Sequence, residues 1–123
     1  MSKSLINQSF IDKYKYESEI IKQTAEQVIK DFAMFGIDIS FSGNTNFAYD
    51  ELYDQLNFQI EKLLKNNYPK LQSLLYQVDI HPKKLKKNDK LKAEEELITE
   101  AILDREFQKV LTRLYFKLNP DKL

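Results

Sequence analysis

The stretch LKAEEELITEAILDREFQKVLTRLYFKL, residues 91–118, decides the fold. It holds no glycine or proline and is rich in Glu, Leu and Lys, which lose little freedom in a helix. Asn119-Pro120 ends it, because proline turns the residue before it away from helical geometry. Its apolar residues do not share one face. Leu97, Ile98, Ala101 and Ile102 lie on one side, and Leu103, Phe107, Val110, Leu111, Leu114 and Leu118 on another, rotated by about 150–200° on the helical wheel. A straight helix on one core does not need that switch. A kink near Leu103, a second contact within the chain, or a second molecule each accounts for it. On the last of these, Leu97, Ile98, Ala101 and Ile102 form the candidate interface with another copy.

Upstream, residues 81–92 read as a polar connector with Leu85 and Leu91 as its only aliphatic residues. Before it, residues 69–78 form a short helix opened by Pro69 at its first position, with Leu71, Leu74, Leu75 and Val78 inward. Residues 47–66 form a longer helix with Asn46 as the expected N-cap. Tyr49, Leu52, Tyr53, Leu56, Ile60, Leu63 and Leu64 make its stripe, leaving Phe47 and Phe58 opposite.

Ile37, Ile39 and Phe41 alternate with polar residues, yet no partner strand exists in the sequence. The expectation is an extended connector whose apolar side chains plug the bundle's end. Residues 10–35 read as one long helix, with Ser9 as N-cap and Gly36 as C-cap. Phe10, Ile11, Tyr14, Ile21, Ala25, Val28, Ile29 and Phe32 form its buried stripe.

These readings give an all-α fold in a single domain over residues 1–123. It is an antiparallel bundle of three to four helices, about 10–35, 47–66, 69–78 and 91–118, with one short extended connector.

Composition narrows the function classes. The 123 residues hold no cysteine, one histidine and two glycines, with 19 basic and 19 acidic residues. That excludes disulfides, thiolate metal sites and a cysteine nucleophile. Two glycines cannot build a phosphate-cradling loop or a nucleophile elbow. No apolar run reaches the length of a membrane span, and the first ten residues lack a secretory leader's apolar core. The expected location is the cytoplasm, without membrane contact.

The equal charge count hides segregation. Residues 31–61 carry six acids and no base, residues 62–92 nine bases and two acids, and residues 93–106 six acids and one base. Lys83, Lys84, Lys86, Lys87, Lys90 and Lys92 form a candidate anion or nucleic-acid patch. It lacks arginine for bidentate base contacts and aromatics for stacking. His81, before Pro82 and two lysines, reads as a surface or capping residue. Glu94, Glu95, Glu96, Glu100, Asp104 and Glu106 read as a solvated acidic face, paired with Arg105, Lys109 and Arg113 further along the helix.

No catalytic residue, metal site or cofactor is expected. The reading is a non-enzymatic helical interaction, assembly or regulatory protein that self-associates with itself or with protein partners. The alternative is nucleic-acid binding through residues 83–92.

Overall fold

The computed structural model describes residues 6–81, 83, 85 and 92–122. Helix α1 (Gln8–Tyr14) is followed by α2 (Ser18–Ala33), α3 (Ala48–Asn66), α4 (Tyr68–Val78) and α5 (Glu94–Leu118), with a 3₁₀ turn at Pro120–Lys122. The fold is all-helical, with no strand among the described residues, but it holds five α-helices rather than three to four.

The extra helix comes from a break in the first one. Lys15 and Tyr16 form a turn and Glu17 has extended backbone at the start of α2. The break lets the two halves serve different neighbours. Phe10, Ile11 and Tyr14 of α1 pack against a cluster built on Val110 and Leu111, while Ala25, Val28 and Phe32 of α2 lie in the main core. The cap also differs: Asn7, not Ser9, accepts the backbone N–H of Phe10 at 3.0 Å.

Helix α2 closes where Gly36 takes φ of +75°, and the Ile37 amide reaches back to Phe32 at 3.1 Å. Ile37 and Ile39 then bury against the main core as an extended connector, with Phe41 packed beside them. Gln55 and Glu51 of α3 hold that connector by hydrogen bonds to Ser40 and Ser42.

Helix α3 starts at Ala48 without a side-chain cap; Asn46 instead donates its backbone N–H to Asn44. Asn67 caps α4, accepting from Lys70, so the chain turns straight from α3 into α4. At the far end of α4, Asp79 adopts the left-handed conformation at φ 76°, and Ile80 N–H bonds to the Leu75 carbonyl at 2.8 Å.

Helix α5 is the spine. It begins at Glu94, with the Glu96 carboxylate reaching back to the Ala93 N–H at 3.0 Å. Tyr49 lies by Glu100 and Asp104 and Tyr53 by Glu96 and Glu100, so α3 and α5 run antiparallel; Gln27 meets Arg113 and Asp31 meets Lys109, so α2 and α5 do too. The two apolar sides of α5 are thereby explained inside one chain. Ile98, Ile102 and Leu103 enter the main core with α2, α3 and α4, whereas Val110 and Leu111 join Ile6 and Ile20 in a second cluster covered by α1.

Candidate functional site

The burial of the last helix revises the interface expected from sequence. Ile98 and Ile102 retain 3% and 0% of their surface, and Ala101 packs against the main core. Leu97 alone of the four is half-buried outside that core. A second molecule cannot rest on Ile98 or Ile102 without opening the fold.

Of the lysine patch, Lys83 and Lys92 are described; Lys84, Lys86, Lys87 and Lys90 lie outside the described residues. The Lys83 backbone N–H donates to His81 Nδ1 at 3.1 Å, which makes His81 a turn-stabilising residue. Lys92 Nζ reaches both oxygens of Glu100 at 2.8 Å. Two arrangements on the described surface and interior carry chemistry that the helix pattern alone does not disclose.

The first is an aromatic and acidic face where α3 and α5 run side by side. Tyr49 and Tyr53, one turn apart on α3, stack with ring centroids 5.9 Å apart and planes inclined by 28°. Tyr49 is half exposed. Glu96, Glu100 and Asp104 project from α5 at helical spacing of four toward these rings. Burial, then Glu100 and Asp104, raise the Tyr49 pKa, and burial, then Glu96 and Glu100, raise that of Tyr53. Desolvation and the neighbouring Glu100 charge push the Asp104 carboxyl above its ordinary range. The face is negative, and among the described residues Lys92 sits in it.

The second arrangement overturns an expectation. Glu106, read from sequence as part of a solvated acidic face, is wholly buried. Asp31 of α2 lies against it with 1% of its surface exposed. Lys109 Nζ stands 2.9 Å from Asp31 Oδ2 and 2.7 Å from Glu106 Oε1, and 3.5 Å from the Val78 carbonyl of α4. Gln27 donates to the other Asp31 oxygen at 3.1 Å and accepts from Arg113 at 2.8 Å. Neither Glu106 oxygen accepts a well-aligned hydrogen bond, although Lys109 is close enough for an ion pair.

The protonation states follow from that imbalance. Two carboxyl groups share one ammonium in a site closed to water, so ionising both leaves an uncompensated charge. Burial, reinforced by the Asp31 carboxylate beside it, pushes Glu106 up to about 8. Burial also opposes charge on Asp31, but the neighbouring Glu106 side chain, the hydrogen bond and charge of Lys109, and nearby Gln77 hold it below the usual range. At neutral pH the cluster is a neutral Glu106, an Asp31 carboxylate and a Lys109 ammonium.

The signal for this cluster was present in the sequence. Glu106 stands three residues after Leu103 and four before Val110, inside the apolar stripe of α5, and Asp31 stands between Val28 and Phe32 in that of α2. Reading all six acids of α5 as one run concealed the difference between Glu106 and Glu94.

Gln27 and Arg113 also border a shallow groove of about 380 Å³ between α2 and α5, lined further by Glu19, Gln23, Glu26 and Lys30. Its mixed charges select no ligand class. Among the described residues, no group of three or more His, Asp or Glu side chains is placed to hold a metal ion, and no helix is long and apolar enough to cross a membrane. Comparison of the chain with protein-family models, curated proteins and solved structures yields no match.

Proposed function

We propose that the protein is a non-enzymatic interaction or assembly subunit that self-associates through the outer face of α3 and α5. The observation that carries this reading is the Tyr49–Tyr53 stack, exposed at Tyr49 and flanked by Glu96, Glu100 and Asp104. Tyrosine supplies a large contact area at little cost in side-chain entropy, and carboxylates around it orient a cationic partner group. The basic segment 62–92 of a second copy has the complementary charge. Within one chain, Lys92 on Glu100 already illustrates the pairing. The same contact weakens the nucleic-acid alternative, since it neutralises one cation of the lysine patch.

Sedimentation across the micromolar range tests the proposal. The wild type is expected to dimerise, less so in high salt, and a Tyr49→Ser variant, altered at the exposed ring, to remain monomeric with an unchanged circular dichroism spectrum. A wild-type chain that stays monomeric at every concentration and salt overturns it.

A further inference from the structure

Glu106 divides α5. On its N-terminal side Ile98, Ile102 and Leu103 enter the main core; on its C-terminal side Val110 and Leu111 enter the smaller cluster under α1. Asp31 of α2 and Lys109 of α5 itself face it; Gln27 of α2 and Gln77 of α4 act on Asp31, the Val78 carbonyl of α4 lies by Lys109, and Arg113 is taken up by Gln27. The charges acting on it are those of Asp31 and Lys109. With one ammonium for two carboxyl groups, the junction is neutral only while it holds one extra proton. Losing that proton places a net negative charge where no water reaches, at the point where α5 passes from the larger core to the smaller one.

We propose that Asp31, Glu106 and Lys109 form a proton-operated latch: the shared proton holds the C-terminal half of α5 and the α1 helix on α2, and its loss in mildly alkaline solution releases them while the main core stays closed. The small cluster is the part that gives way, because it buries few residues and lies next to the new charge.

The direction follows from linkage. Glu106 binds its proton more tightly in the closed state than in an open one, where it returns to the ordinary value near 4.5. Its contribution to closure is complete below 4.5 and is lost progressively as pH rises through about 8. Between pH 6 and 9 the opening equilibrium is expected to grow by up to about a hundredfold. His81 is exposed, sits on the turn after α4, and is retained in a Glu106→Gln variant.

Two measurements on the full chain decide the matter. Carbon-detected NMR titration of the side-chain carboxyls should give Glu106 a midpoint far above those of the exposed glutamates. Amide hydrogen exchange, divided by intrinsic rates, should show α1 and the C-terminal half of α5 losing protection between pH 6 and 9 while α3 and α4 keep theirs. Glu106→Gln should hold the same amides closed across the range. Asp31→Asn leaves Glu106 as the sole counterion of Lys109, and the loosening should move out of the window. A Glu106 midpoint in the ordinary carboxylate range, or a Glu106→Gln variant that loosens as the wild type does, overturns the latch.

Discussion

The two cores of this bundle are built on opposite principles. The main core, where α2, α3, α4 and α5 meet, is filled by Phe32, Leu56, Ile60, Leu71, Leu74 and Ile102, all with no exposed surface. The smaller one has four buried residues, Ile6, Ile20, Val110 and Leu111, roofed by half-exposed Phe10 and Tyr14 and by Tyr115. Phe10 touches Tyr14 at 4.8 Å and Tyr115 edge-on at 5.8 Å. Close packing makes the first stiff and costly to perturb, whereas the second can open without exposing the rest. A charged seam separates them.

Truncating one phenylalanine in each core tests that contrast most severely. Phe32→Ala should cost about 3–5 kcal/mol of global stability in denaturant unfolding, since the cavity is enclosed on all sides. Phe10→Ala should cost well under half as much, and its effect should appear as faster hydrogen exchange in α1 and the end of α5. Equal losses of global stability from the two would mean that the molecule has one cooperative core.

The seam itself comes next in size. Lys109→Met leaves Asp31 ionised and buried without its cation, and should cost about 3 kcal/mol at neutral pH. The pH dependence has a definite sign. Asp31 has a lowered pKa in the fold, so its contribution is present above the unfolded value near 3.8 and disappears as pH falls through the lowered one. The penalty for Lys109→Met should therefore shrink in acid, where Asp31 becomes neutral. Denaturation midpoints at pH 3 and pH 7 that differ from wild type by the same amount would deny the pair its role.

The legibility of the fold follows the same division. Where apolar residues recur at helical spacing, as at Leu52, Leu56, Ile60 and Leu63 or at Leu71, Leu74, Leu75 and Val78, periodicity alone identified helix and inward face, and those residues are buried. The connector at Ile37 and Ile39 was legible for a related reason: it alternates but has no partner strand. The break at Lys15–Glu17 was not, because both halves of residues 10–35 obey one helical wheel. Phe10 and Phe32 end in different cores, and no local pattern marks the turn between them.

The switch of faces in α5 was visible, but whether another chain or the same one supplies the second contact depends on where α1 lands, which no local pattern encodes. The acid–lysine seam was half visible: Asp31 and Glu106 interrupt apolar stripes, but their meeting depends on the antiparallel register of α2 and α5.

Arg105 supplies the mildest test of the comparison, because it stands one turn from Lys109 on the same helix and makes an ion pair of similar length. Its guanidinium meets Asp79 Oδ2 at 2.6 Å and also donates to the Asp79 carbonyl at 3.1 Å. The difference lies in solvent: the Asp79 side chain is 75% exposed, that of Asp31 only 1%. Water screens the first pair and compensates either partner when the other is removed, whereas nothing compensates the second. Arg105→Ala should therefore cost no more than about 1 kcal/mol, and half-molar salt should erase most of that loss in denaturant melts. The cost of Lys109→Met should survive the same salt, since mobile ions do not enter the seam. If the two penalties fall together as salt is added, the seam is open to solvent and the division between the two cores fails with it.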